Sequence, residues 1–199
     1  MLYPGFISGS YVSQSPFADC ERTVNWYPEP IEPQSVPWRA ALYPCPGFSN
    51  YVTVSNINTR ALFSMAGNVY GVIGDGVYKF TSTNSASIVT DGTVANDPNP
   101  AQIASNGDAG GELLIASGGN GYLLTIASNT LTTISALANK CTMAGMIDGY
   151  FLAFDSSASK FFISDLNDGT SWDATQYAQR SIAPDPWKAM VVDGSRQIW

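Results

Sequence analysis

Catalysis in this chain would have to rest on carboxylates, arginines or thiols, because its 199 residues include no histidine. That removes the commonest general base, the Ser-His-Asp and Cys-His nucleophile systems and most zinc sites. Glycoside hydrolysis by carboxylates needs two of them flanking one bond on a rigid frame. Glu21, Glu29 and Glu32 fall in a proline-rich stretch, which is a poor frame, and Glu112 follows "DAGG" at the start of a strand, where it reads as solvated. No pair stands out. Cys20, Cys45 and Cys141 are odd in number and far apart, against both a disulfide framework and a thiolate metal site. They read as buried small residues in a reducing compartment. The glycine-rich "GDGVY" and "GNGYLLT" precede no helix, so they are hairpin turns rather than phosphate cradles. "DGTVANDPNPAQ" and "NGDAGG" are acidic but lack the bidentate Glu of a calcium loop, and read as connectors between sheets. The expectation is a protein with no catalytic residues, no cofactor and no metal.

One motif has a fixed internal spacing. In "FFISDLNDGTSWD", residues 161–173, Asp165, Asn167, Gly169, Ser171 and Trp172 resemble the Asp box of sialidase-type propellers, Ser-x-Asp-x-Gly-x-Thr-Trp, which joins the third and fourth strands of a blade. The Gly and Trp match; Asn stands for the Asp, and Asp for the leading Ser. Physically this is an Asx-type turn. Short polar side chains take up backbone N–H groups, Gly169 is expected to supply a positive φ, and Trp172 to pack between sheets. Such a turn is architecture, not chemistry. A sialidase would also need arginine clamps and a Tyr–Glu pair, and none of the five arginines sits in such a context.

The elements around this turn are short strands. From Tyr51 onward, apolar runs alternate with Gly-, Asn- and Ser-rich turns: Leu62–Met65, Val69–Ile73, Val77–Phe80 and Ile88–Val89 are separated by "AGN", "GDG" and "STNSAS". Strands joined this tightly are antiparallel neighbours. The unit recurs in "GELLIASGGNGYLLTIASNTLTTIS" and "GYFLAFDSSASKFFISDLNDGTSWD", and begins again at "MVVDGSRQIW". Aligned on Asp75, Gly119 and Ser157, the repeat approaches the ~40–45 residues of a four-stranded propeller blade. The predicted fold is all-β, a β-propeller with about three blades and an incomplete ring, approximately 51–95, 96–138 and 139–183, with the start of the next over 184–199. A regular β-sandwich is the competing fold. An apolar strand signal runs up to Trp199, where an open sheet edge would be exposed. The expectation is therefore a longer polypeptide, or a second chain that completes the ring.

Residues 1–50 differ in composition. They hold eight of the twelve prolines, with Trp26 and Trp38 among several further aromatics. Proline fixes φ and removes an N–H, which excludes helices and central strands over most of this stretch. It reads as an extended arm, with Trp26, Tyr27 and Trp38 as candidate interface anchors. The nine basic residues are scattered and the net charge is −7, so no nucleic-acid groove is expected. No apolar run is long enough to span a membrane, and "MLYPGFISGSYVSQSP" lacks the basic and apolar regions of a signal peptide.

The arm, "SQSPFADCERTVNWYPEPIE…ALYPCPGF", resembles the N-terminus of the tail-hub proteins of short-tailed bacteriophages, also called packaged-DNA stabilisation proteins. The matching residues are Val24-Asn25-Trp26-Tyr27-Pro28 and Leu42-Tyr43-Pro44-Cys45-Pro46-Gly47-Phe48. A second stretch, "FFISDLNDGTSWDATQYAQRSIAPDP", is similar to the family's aromatic–Ile–Ser–Asp–Leu turn and its following Pro-Asp loop. The resemblance implies a structural protein of the virion tail, made in the host cytoplasm. It implies a homo-oligomeric ring, six copies, touching the portal or head–tail adaptor protein and the tail needle, spike or fibre, with packaged DNA only nearby and no membrane. The alternatives are a carbohydrate-binding or sialidase-like propeller of a receptor-binding protein, and a baseplate or adhesin scaffold of another phage.

Overall fold

The computed structural model describes residues 24–30, 40–54, 58–82, 85–88, 92–179 and 185–199. The chain divides into two units, Met1–Asn50 and Tyr51–Trp199. In the first, β1 (Trp26–Pro30) and β2 (Ala40–Pro44) pair antiparallel, with Tyr27 opposite Tyr43 and Glu29 opposite Ala41. The predicted arm is thus a two-stranded ribbon over its described part. Proline is compatible with a ribbon wherever the missing N–H would face away from the partner strand.

Among its described residues the second unit holds three four-stranded antiparallel sheets, each a simple meander. The first is β3 (Thr59–Met65), β4 (Asn68–Ile73), β5 (Gly76–Ser82) and β6 (Ser85–Ile88). The second is β7 (Gln102–Ser105), β8 (Glu112–Ser117), β9 (Asn120–Thr125) and β10 (Thr130–Thr133). The third is β11 (Met143–Ile147), β12 (Tyr150–Asp155), β13 (Lys160–Asp165) and β14 (Asp168–Gln179). The turns at Asp75, Gly119 and Ser157 all join the second strand of a sheet to the third. The one at Gly118–Gly119 has φ of +57° and +80°, a pair of values that glycine adopts without steric cost. The first strands, β3, β7 and β11, lie side by side, as in successive propeller blades. The Gln102 Oε1 atom accepts the Ala144 N–H at 2.9 Å, tying β7 to β11. Among the described residues the three sheets do not close into a ring.

Period-two alternation explains the stacking, because each sheet presents one residue set to each side. On β8, Leu113 and Ile115 join Tyr70, Val72 and Val77 between the first and second sheets. Leu114 and Ala116, with Leu123, join Phe151 and Ala153 between the second and third. Every residue of Glu112–Ser117 is therefore buried. The outer side of the third sheet carries Leu152 and Phe154, covered by Met190 with Trp187, Val192 and Ile198. There the "MVVDGSRQIW" segment makes a short antiparallel pairing, with Val192 opposite Ile198. On the outer side of the first sheet, Ile73, Tyr78 and Phe80 are packed by Val52 and Val54.

Two sequence expectations change. Ser85–Ile88 is strand β6, so "STNSAS" is not all turn. "NGDAGG" does not connect sheets; it links β7 to β8 inside one sheet, through a single helical turn, α1 (Gly107–Gly110).

Candidate functional site

Four of the buried polar side chains of the second unit, Arg60, Asn106, Glu112 and Ser117, sit where one sheet meets the next, while Asp155 and Ser164 bond within the third sheet. The Asp-box-like stretch lies between β13 and β14, with Leu166 and Asn167 at the turn. Asn167, not Gly169, takes the positive φ, +54°. Its N–H donates to the Gly149 carbonyl at 2.9 Å, anchoring it to the β11–β12 turn. Asp168 Oδ1 accepts the N–H of Thr170 at 2.8 Å and its hydroxyl at 2.6 Å. Those two bonds, the hydroxyl first, hold the Asp168 carboxyl below the ordinary carboxylate range. Asp165 accepts the Ser171 hydroxyl at 2.5 Å. The Trp172 indole N–H donates to the Gly169 carbonyl at 2.7 Å, and its ring lies against the cluster shared by the second and third sheets.

Gly169 is required for space rather than for φ. A Cβ there would meet Leu123 Cδ1, Phe151 Cε2 at 2.9 Å and Glu112 Oε2 at 3.1 Å. Its N–H donates to Glu112 Oε2 at 2.8 Å, and the same oxygen accepts Asn106 Nδ2 at 2.9 Å. Asn106 Oδ1 in turn accepts the Glu112 N–H at 2.9 Å. Glu112 is therefore buried, which corrects its reading as a solvated residue: its carboxylate links the second sheet to the box-like turn of the third. The sequence signal was present, since a Glu leading the continuous apolar run "LLIA" on a strand buried on both faces must find donors.

A second junction, one the sequence reading missed, is built on Arg60 of β3. Its Nε donates to the Asn99 carbonyl at 2.8 Å and Nη1 to the carbonyls of Gly74 (3.0 Å) and Ala95 (2.7 Å). Nη2 donates to Ser117 Oγ on β8 at 2.8 Å. One buried guanidinium thus holds the β4–β5 turn, the 92–101 connector and the second sheet together. Its five donors in a fixed plane suit several acceptors at once.

Trp26 is 50% and Tyr27 48% exposed, and Tyr27 stacks on Tyr43 with ring centroids 5.7 Å apart. Trp38 lies outside the described residues. A separate apolar cleft of about 500 Å³ opens beside the third sheet. Trp187 stacks there with Phe154 and Phe161, at 6.4 and 6.2 Å. Among the described residues no three His, Cys, Asp or Glu side chains are grouped to hold a metal, and no helix is long and apolar enough to cross a membrane.

The cysteines differ from their common reading. Cys45 is exposed, Cys141 is buried, and Cys20 lies outside the described residues. Burial pushes the Cys141 thiol from its ordinary 9.0 up to about 12. At pH 8 a thiol reagent should label Cys45 within minutes and reach Cys141 only in denaturant. The unfolded chain releases the Cys141 proton above about pH 9 while the folded chain keeps it, so this contribution to stability, complete below pH 9, should be lost as the pH rises toward 12. Unfolding midpoints that stay level across that range in wild type relative to Cys141→Ala would contradict the assignment.

A family model described as Phage_stabilise, bacteriophage P22 Gp10, beta-propeller, matches residues 6–196. No curated protein matches the chain. Among solved structures the chain is similar to PorZ, described as an essential bacterial surface component of the type-IX secretion system of the human oral-microbiome species Porphyromonas gingivalis. The identity is 12% and the TM-score 0.41, over 58% of this chain and 15% of that one.

Proposed function

The chain belongs to the structural phage family of the P22 Gp10 β-propeller, which stabilises packaged DNA, and from that premise we propose that it is a component of the tail hub. In this reading, six copies form a ring below the portal and head–tail adaptor, close the DNA channel after packaging, and attach the tail needle or spikes. The observation that carries the reading is the family match over residues 6–196, on a chain whose second unit is a stack of propeller blades. Three physical features support it. The buried charged groups Glu112 and Arg60 are spent on joining sheets. The net charge of −7 disfavours adhesion to the phosphates of DNA passing nearby. The exposed aromatics Trp26 and Tyr27 offer large contact area at small entropic cost for a neighbouring copy or adaptor.

The test is a phage whose coding sequence for this chain is interrupted. Heads should fill with DNA and then lose it, and complementation should restore retention. Particles that keep their DNA and a complete tail without this protein would overturn the proposal. A particle reconstruction checks the finer claim, which requires density for this fold below the portal with six-fold symmetry.

A further inference from the structure

We infer that the placement of its prolines interrupts both edges of the β1–β2 ribbon against addition of a third strand. The Cys45 N–H donates to the Asn25 carbonyl at 2.8 Å, just beyond the Trp26–Pro44 pair. This fixes the parity of the ladder. In an antiparallel pair, residues alternate between those that exchange both backbone bonds and those whose N–H and C=O face outward. Tyr27, Glu29, Ala41 and Tyr43 therefore point inward, and Trp26, Pro28, Pro30, Ala40, Leu42 and Pro44 outward.

Every proline of the two strands falls on the outward set. The outer edge of β1 has one donor, Trp26, followed by two positions with no N–H. The outer edge of β2 has donors at Ala40 and Leu42, then none at Pro44. A third strand needs a donor at every second residue along the edge it joins. Within β1 and β2 neither edge offers more than two in succession. A bare two-stranded ribbon with open edges is a template for pairing with other chains, and here that template is cut to one donor on β1 and two on β2.

The test uses the full chain and two readouts. In wild type, amide hydrogen exchange should leave Trp26 and Leu42 fast, while Tyr27, Glu29, Ala41 and Tyr43 exchange about 100-fold more slowly. Protection of Trp26 or Leu42 equal to that of their neighbours would mean that an edge is occupied, and would overturn the inference. In the second readout, Pro28→Val with Pro30→Val restores two outward donors on β1 without touching an inward bond. This variant should associate in a concentration-dependent way by light scattering and gain amyloid-dye fluorescence, whereas Ala41→Val, at an inward position, should not. An edge-opened variant whose size distribution and dye response match wild type, with the exchange pattern of the second unit intact, would also overturn it.

Discussion

Replacing Arg60 by methionine should lower the unfolding free energy by about 4 kcal/mol, the largest loss expected from any single substitution considered. Methionine fills much of the stem's space but donates nothing. The carbonyls of Gly74 and Asn99 lose the bonds that Arg60 gives them, and Ala95 and Ser117 keep only their mutual bond at 3.0 Å. These acceptors belong to a turn, a connector and the neighbouring sheet, so the loss falls on the joint between the first two sheets. Arg60→Lys should recover less than half of it, because a single ammonium cannot reach acceptors spread around a planar fork. Urea unfolding gives the free energies. Amide exchange over 92–101 gives the location, and should rise in Arg60→Met before the third sheet is affected. A loss below about 1 kcal/mol would show that water replaces the guanidinium freely.

The second large effect is at Gly169. Gly169→Ala should cost about 3 kcal/mol, on the order of 10 °C in Tm, because the added methyl group enters space held by Leu123, Phe151 and Glu112. The backbone there is not in the left-handed region, so the cost is overpacking rather than conformational strain. Glu112→Leu probes the same joint from the other side. It leaves the Gly169 N–H and Asn106 Nδ2 without their shared acceptor, and should cost about 3 kcal/mol. Glu112→Gln keeps an oxygen for both donors and should cost less than half as much. The two changes share one contact, so their effects in the double variant should fall short of the sum by about 1 kcal/mol or more. Strict additivity would show that the carboxylate and the glycine do not act together.

These two joints mark the limit of a sequence reading. Their residues were visible, but their partners lie far along the chain: Glu112 and Gly169 are separated by 57 positions, and Arg60 and Ser117 also by 57. Glu112 looked solvated because its polar neighbours in sequence, Asp108 and the glycines, are themselves on a turn; only stacking of the third sheet buries it. The box-like turn was recognisable from its Asp, Asn, Gly and Trp. The division of labour inside it was not, since Asn167 supplies the positive φ and Gly169 the clearance. In the first unit, prolines argued against regular structure, and the ribbon formed because its three, Pro28, Pro30 and Pro44, fell where no inward N–H was needed.

Local chemistry needs only near neighbours, and so the sequence determined what depends on near neighbours. Alternation set the strands and glycine- and asparagine-rich segments set the turns. The recurrence of that pattern set the blades, and the lack of histidine narrowed the available chemistry. The tertiary structure decided which side of each strand meets which neighbour. It therefore also decided which polar groups are buried and obliged to bond across sheets, because burial is a property of the stacked sheets and no single strand carries it.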